Sequence, residues 1–255
     1  MGVFLTEVDA WVTASVFAAA LLAASAVGWL WGRRRSGKAR QPPASKFNEA
    51  SMALLGLLLG FTFSMSLSKH DQRRLMVVSD SNAVGDFYTC ASLLKEPVRG
   101  KLQGVIREYA EHRLALARAR LSEAAFEQKL AEIQATQNRM QALVAEAVDE
   151  GTPIAVPLTN TLNEVTSSHA ARLAATRDRL SPSIVLLLVL AGLLCVGLMA
   201  YQEAASGEHH PGAMAAFVVL VSLVVGVTLD LNQPHRGLIT VSQEPMQRVV
   251  SGMGK

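Results

Sequence analysis

The residue types that most often carry chemistry are sparse in this chain of 255 residues, and few are spaced to act together. His209 and His210 stand beside Glu208, but adjacent side chains project in different directions, so this group predicts a solvated loop rather than a metal site. The two cysteines are Cys90 and Cys195. The sequence has no Gly-rich phosphate loop, no His-Glu-x-x-His motif and no Gly-x-Ser-x-Gly elbow. These observations predict a protein that is not an enzyme, with no metal ion and no cofactor.

Small and hydroxyl residues at helical spacing give a stronger signal. Four of them recur at every fourth position and would form one ridge on a helix: Gly56, Gly60, Ser64 and Ser68. Thr62 and Ser66 would lie on another face of that helix. Such a ridge lets helices pack closely in lipid, which is the preferred interpretation, and the alternative is that it lines a pore in an oligomer. In the pore interpretation, Phe61, Phe63 or Met65 forms an apolar constriction.

One carboxylate stands at the end of an apolar stretch. Asp230 shares a helix face with Ser222 and Gly226 at intervals of four residues. Carboxylates inside membranes are costly and mark functional sites by default, so Asp230 is a candidate for a role on a polar path. The preferred interpretation is an interfacial acid that pairs with Arg236 or caps the end of a helix.

The positions of the charged residues define the elements that carry these side chains. Charged residues make up 18% of the chain, against roughly 25% in an average soluble domain. A helix of about 20 apolar residues crosses a bilayer core. Four stretches of about this length are nearly free of charge: 11–32, 51–68, 182–201 and 214–231. We therefore expect an all-α, polytopic membrane protein with four transmembrane helices.

Most of the charge lies between the second and third apolar stretches. Residues 69–180 include 15 basic and 14 acidic residues, and their apolar positions follow helical spacing. His112 and His169 fall on these apolar faces, where a hydrogen-bonded histidine within a bundle is expected. The predicted organisation has four parts, which are two helices with a basic loop (1–68), a water-exposed helical insert (69–180), two more helices (181–232) and a short tail (233–255).

The distribution of basic residues gives conflicting predictions of orientation. The loop 33–46 has six basic residues and no acidic ones, which places it in the cytoplasm. The ends of the insert and the tail together carry more basic residues and favour the opposite topology. A net charge of +3 is too small to indicate nucleic acid as a partner.

Several runs of residues resemble a known family. The first three lie between positions 60 and 85: Gly60-Phe61-Thr62-Phe63-Ser64-Met65, Arg73-Arg74 and Asn82-Ala83-Val84-Gly85. The last lies near the end of the chain: Leu229-Asp230-Leu231-Asn232, Pro234 and Arg236-Gly237-Leu238-Ile239. Together these runs resemble the bacterial bestrophin-like domain family, which is of unknown function and distantly similar to bestrophin channels. The motif residues by this resemblance are Arg73, Arg74, Asn82, Gly85, Arg236 and Gly237.

The resemblance carries implications for function. Bestrophins are pentameric, largely anion-conducting channels whose pore is lined by the second helix and narrowed by a hydrophobic neck. By resemblance, Phe61 and Phe63 are the neck residues here, and the protein is a multi-pass protein of the bacterial inner membrane. The chain departs from bestrophins because His70 and Asp71 stand where a pair of tryptophans follows the second helix. No acidic cluster matches the bestrophin calcium clasp.

The sequence thus predicts a homo-oligomeric, bestrophin-like ion channel whose second transmembrane helix lines the pore. Its pore-lining candidates are Gly56, Gly60, Phe61, Phe63, Ser64 and Ser68. The expected partners are the lipid bilayer, further copies of the chain and small ions. The alternative is a non-conducting membrane sensor or scaffold whose helical insert binds a ligand or partner.

Overall fold

The computed structural model describes residues 10–35, 45–118, 123–207, 210–233 and 237–254. Within these ranges the chain forms eight helices and no strand, which confirms the all-α prediction. In chain order the helices are α1 (Ala10–Arg35), α2 (Ser45–Ala91), α3 (Val98–Arg118), α4 (Glu123–Asp149), α5 (Ala155–Arg177), α6 (Pro182–Ser206), α7 (Pro211–Leu231) and α8 (Glu244–Gly252).

The four predicted transmembrane helices are confirmed as long apolar helices. The stretches long and apolar enough to cross a membrane are Ala10–Arg34, Phe47–Ala91, Ala155–Ser206 and Pro211–Leu231. Helix α2 has 47 residues, which at 1.5 Å per residue is about 70 Å, more than twice the hydrocarbon thickness of a bilayer. Only its charge-free segment 51–68, here called the membrane segment of α2, matches that thickness.

Proline and glycine set the bounds of the third and fourth apolar helices. Pro182 and Pro211 stand in the first turns of α6 and α7. A backbone N–H at this position has no partner within the helix, so proline loses no hydrogen bond there, and its fixed φ is close to that of a helix. Helix α6 ends at Gly207, whose φ of 75° lies in the left-handed region that favours glycine.

The chain divides into two compact units. The membrane unit comprises 1–70 and 179–239, and the insert unit comprises 71–178 and 240–255. In the membrane unit, α1 packs closely against α6 and α7. A Cβ added at Gly28 would overlap the carbonyl oxygen of Gly197, and one added at Gly32 would lie 2.5 Å from the carbonyl oxygen of Tyr201. Glycine at these two positions therefore allows the backbones of α1 and α6 to approach.

The insert unit is a helical bundle with an apolar core. Its fully buried residues come from the end of α2, from α3, α4 and α5, and from the tail: Phe87, Leu102, Tyr109, Ile133, Met140, Leu158 and Met246. The Tyr88 hydroxyl donates a hydrogen bond of 2.9 Å to the Met253 carbonyl. Residues of the tail thus pack in the core of this unit.

Candidate functional site

The membrane segment of α2 directs its hydroxyl groups to two sides. Thr62 and Ser66 are 5% and 0% exposed, and the Thr62 hydroxyl donates to the Leu58 carbonyl at 2.8 Å. The four residues of the predicted ridge, in contrast, are all exposed: Gly56, Gly60, Ser64 and Ser68. A Cβ added at Gly56 or Gly60 would have no described atom within 4 Å. Within this chain, packing therefore uses the Thr62 and Ser66 side of the helix and leaves the ridge open.

The ridge winds around the helix, so its two halves lie in different surroundings. Four residues turn an α-helix by about 400°, and each step along the ridge therefore advances by about 40°. Gly56 and Gly60 line an apolar groove between α2 and α7 with a volume of about 530 Å³. Ser64 and Ser68 lie further round the helix and do not line that groove.

Phe61 and Phe63, the two phenylalanines proposed for a constriction, also lie on different sides of α2. Phe61 is 64% exposed and lies at the angular position of Ser64 and Ser68. Phe63 is partly buried and lines the groove with Gly56 and Gly60. The structure thus divides the six candidates into an open face of Phe61, Ser64 and Ser68 and a groove face of Gly56, Gly60 and Phe63.

Asp230 makes the contacts of a turn-capping residue. Its side chain is 1% exposed, and its carboxylate accepts hydrogen bonds from the backbone N–H groups of Leu238 and Ile239 at 3.0 and 2.8 Å. Gly237 has a φ of 116°, and a Cβ there would overlap the Asp230 carboxylate. These contacts tie Leu238 and Ile239 to the end of α7. On the same helix face, Gly226 packs against Ala14 of α1.

Two of the motif residues stabilise the insert unit. Arg73 is 4% exposed, and its guanidinium donates to the carbonyl oxygens of Ala175 and Asp178 at 3.2 and 3.1 Å. These carbonyls lie in the last turn and at the C-cap of α5, so Arg73 completes that helix end. Gly85 faces the tail, where an added Cβ would make an ordinary van der Waals contact with Val249 at 3.8 Å. Arg74 and Asn82 are exposed, and Arg236 lies outside the described residues.

A buried ion cluster lies in the core of the insert unit. Asp80 of α2 is fully buried, and its Oδ2 accepts hydrogen bonds from Arg113 of α3 at 2.8 Å and from Arg172 of α5 at 2.7 Å. Ser168 donates to the other carboxylate oxygen at 3.4 Å. Arg172 also donates to the Gln243 side-chain oxygen at 2.6 Å. Three helices and the tail are thus joined through one carboxylate.

The electrostatics of the cluster keep Asp80 ionised. Burial alone raises the pKa of this carboxyl, but the charges of Arg113 and Arg172 and their hydrogen bonds outweigh burial, so the pKa lies below its usual range. The neighbouring His169 is neutral at pH 7, because burial and the nearby guanidinium of Arg113 lower its pKa to about 4. Burial raises the pKa of Tyr109 to about 12, so its hydroxyl keeps its proton.

Comparison with known proteins identifies the family of this chain. The family model of the bestrophin-like domain matches residues 15–246. The chain belongs to the bestrophin-like domain family. No curated protein and no solved structure matches it. With its four long apolar helices, this bestrophin-like chain is a multi-pass membrane protein.

Sequence reasoning missed the ion cluster of the bestrophin-like chain. It placed His112 on a buried helix face, whereas the structure buries the next residue, Arg113, together with Arg172 of α5. Helical spacing could have indicated the burial of Arg113, because Arg113 follows Tyr109 by four residues and so lies on the same face of the helix. His112 lies at the edge of the core with its Nδ1 3.4 Å from the Thr136 hydroxyl.

The described parts of the chain hold no group of three or more metal-ligating side chains. Glu208 and His209 fall outside the described residues, while His210 is exposed just before α7. The structure therefore brings candidate residues together in two places, the open face of α2 and the ion cluster of the insert unit.

Proposed function

We propose that this protein is a homo-oligomeric ion channel of the bacterial inner membrane in which the open face of α2 lines the pore. The observation that carries the proposal is the exposure of Phe61, Ser64 and Ser68 on a helix whose Thr62 and Ser66 are buried against its own unit. Hydroxyl groups that face lipid gain nothing, whereas hydroxyl groups that face water in a pore stay solvated.

The open face has the two features that a conduction path needs. Ser64 and Ser68 supply oxygen atoms that replace part of the hydration shell of an ion, and Phe61 supplies an apolar constriction that gates by excluding water. One helix face cannot enclose a path, so several copies of the chain must surround a common axis. The family resemblance to bestrophins favours anions as the permeant ions.

The groove face gives the copies a surface for association. Gly56 and Gly60 have the spacing that lets helices approach closely in lipid, and Phe63 lies beside them in the groove between α2 and α7. A helix of a neighbouring copy that packs there would leave the open face directed at the axis.

Two measurements on the purified full-length chain test the proposal. Planar bilayers containing the protein should conduct in symmetric chloride solutions, and light scattering of the protein in detergent should give the mass of a closed ring. A matched control is Leu194→Ala on α6, which is 67% exposed among apolar neighbours and should conduct as the unmodified protein does. The absence of conductance in chloride, nitrate, sodium and potassium salts overturns the proposal.

One observation favours a second candidate, a non-conducting sensor whose insert binds a ligand. The single helix α2 carries both the membrane segment and Asp80, so a ligand that moves the ion cluster acts on a helix that enters the membrane. A monomer or a simple dimer without conductance supports this candidate over the channel.

A further inference from the structure

Four buried polar atoms around the ion cluster have no hydrogen-bond partner among the described residues. They are the Tyr109 hydroxyl, Arg113 Nε, Gln137 Nε2 and His169 Nδ1. The residues Tyr109, Gln137 and Arg113 are only 0%, 2% and 5% exposed, so bulk water does not reach them freely. Buried polar groups in folded proteins are nearly always paired, and a group of unpaired ones calls for an explanation.

These atoms belong to one site. The Tyr109 and His169 rings meet edge to face with their centroids 6.3 Å apart. The Gln137 amide lies beside the Tyr109 hydroxyl and opposes the increase in its pKa, although no hydrogen bond of ordinary geometry joins them. Arg113 follows Tyr109 by one turn of α3, and its charge acts on both Tyr109 and His169. The Tyr109 hydroxyl, the Gln137 amide and the Arg113 guanidinium therefore lie in one buried region of the insert unit.

The protonation states leave this site rich in donors. Tyr109 keeps its hydroxyl proton because burial raises its pKa to about 12, and Arg113 Nε and Gln137 Nε2 both carry hydrogen. Asp80 balances only one of the two guanidinium groups, so the ionised side chains of the cluster sum to one positive charge. Three unpaired donors and one uncompensated positive charge suit a ligand that accepts hydrogen bonds and carries one negative charge.

We propose that the core of the insert unit binds one small monovalent anion, of the size of a halide or nitrate, between Tyr109, Arg113 and Gln137. A monovalent anion balances the charge of the cluster, whereas a divalent one brings an excess of negative charge into the core. The close packing of protein interiors limits the size of the anion. This site lies within one copy of the chain and does not depend on the proposed pore.

The bound anion would give α3 and α4 a common ligand. Tyr109 and Arg113 belong to α3 and Gln137 to α4, while Arg113 also holds Asp80 of α2. A ligand that binds only the folded unit raises its stability with concentration, by mass action. The thermal stability of the insert unit should therefore depend on which anion is present.

Sodium bromide is the probe, because bromide is a small monovalent anion and its anomalous scattering locates it. The full-length protein in detergent is unfolded by heating in mixtures of sodium bromide and sodium gluconate at constant ionic strength. We expect the unfolding temperature to rise with bromide and to saturate, since one site binds bromide and gluconate is a much larger anion. Equal unfolding temperatures in the two salts overturn the proposal.

Matched variants separate a bound ion from a general effect of salt. Tyr109→Phe removes one unpaired hydroxyl and keeps the ring, whereas Tyr88→Phe removes a hydroxyl in the same unit that already donates to Met253. We expect the bromide concentration for half the effect to rise at least about tenfold in Tyr109→Phe, since a hydrogen bond to a charged group is lost. Tyr88→Phe should respond as the unmodified protein does.

Gln137→Met and crystallography complete the test. Gln137→Met keeps the shape of the side chain, removes a second donor and should weaken the bromide effect as Tyr109→Phe does. Crystals grown in sodium bromide should show an anomalous peak between Tyr109, Arg113 and Gln137. A bromide response that is the same in all variants, or crystals without a peak at this place, contradicts the proposal. None of these measurements depends on conductance, so the channel proposal can fail separately.

Discussion

The carboxylate of Asp80 on α2 and the guanidinium of Arg172 on α5 form a salt bridge of 2.7 Å inside the insert unit. The Asp80 side chain is fully buried, and Arg113 of α3 binds the same carboxylate oxygen. The two salt bridges connect segments that are 33 and 92 positions apart in the sequence. The arrangement of the insert helices is thus held by charge as well as by apolar packing.

Asp80→Asn tests the contribution of this carboxylate. The substitution keeps the shape of the side chain but leaves two buried guanidinium groups without a counter-charge. We expect the free energy of unfolding of the insert unit to fall by about 3–5 kcal/mol, as when one partner of a buried ion pair is removed. Asp86→Asn, an exposed acid on the same helix, should change it by about 0.5 kcal/mol at most. Equal effects of the two substitutions in thermal unfolding would contradict the role of Asp80.

His169 should give the insert unit an acid-sensitive stability. Its pKa is about 4 in the folded protein against an ordinary value of 6.5, so between these values the unfolded chain binds more protons. The histidine therefore favours folding at neutral pH, and this contribution is lost as the pH falls from 6.5 to 4. The contribution of Asp80, whose folded pKa is depressed, is lost at still lower pH.

The measurement is the unfolding temperature of the protein and of His169→Gln between pH 4 and pH 8. We expect the difference between the two proteins to change across the window from 6.5 to 4 and to stay constant above it. A difference that does not vary with pH would show that burial of His169 does not affect its protonation.

Arg73 and Arg74 provide a matched pair of neighbours. Arg73 is buried and caps α5 through two carbonyl oxygens, whereas Arg74 is exposed. Arg73→Ala should lower the free energy of unfolding by about 1.5–3 kcal/mol, the usual loss for hydrogen bonds of a charged group. Arg74→Ala should have an effect close to zero. If thermal unfolding showed the reverse order, the capping role of Arg73 would be wrong.

Phe61 and Phe63 separate the open face from the groove face. Because Phe61 is exposed beside Ser64 and Ser68, Phe61→Ala should widen the constriction and raise the single-channel current. Phe63→Ala changes the groove between α2 and α7 and should weaken the oligomer while leaving the current through intact channels unchanged. Planar-bilayer recordings and the mass in detergent check the two effects. A larger current in Phe63→Ala alone would assign the constriction to the groove face.

The membrane elements were predictable because charge is almost absent from them. A stretch of about 20 residues without charge leaves few alternatives to a membrane helix, and all four stretches are apolar helices in the structure. The family was predictable for a different reason, since runs such as Gly60-Phe61 and Asp230-Leu231 carry the resemblance that the family match confirms.

The ion cluster and the two faces of α2 were not predicted. Charged residues on a helix normally face water, so Arg113 and Arg172 were not expected in the core, and their shared partner Asp80 is distant in sequence. The ridge of α2 suggested one surface because its residues recur every four positions. The 40° advance at each step is small, about a tenth of a turn, but over three steps it moves Ser68 away from Gly56.

The most direct test of the proposed pore is the chemical accessibility of its lining. In a protein with Cys90→Ser and Cys195→Ala, cysteines are introduced one at a time at Ser64, Ser68 and, as a control, Leu190, an exposed residue of the apolar helix α6. A water-soluble, charged thiol reagent is then applied to conducting bilayers. We predict that it changes the current through Ser64→Cys and Ser68→Cys and leaves Leu190→Cys unaffected. Current that persists unchanged in both serine variants contradicts the proposed lining of the pore by α2.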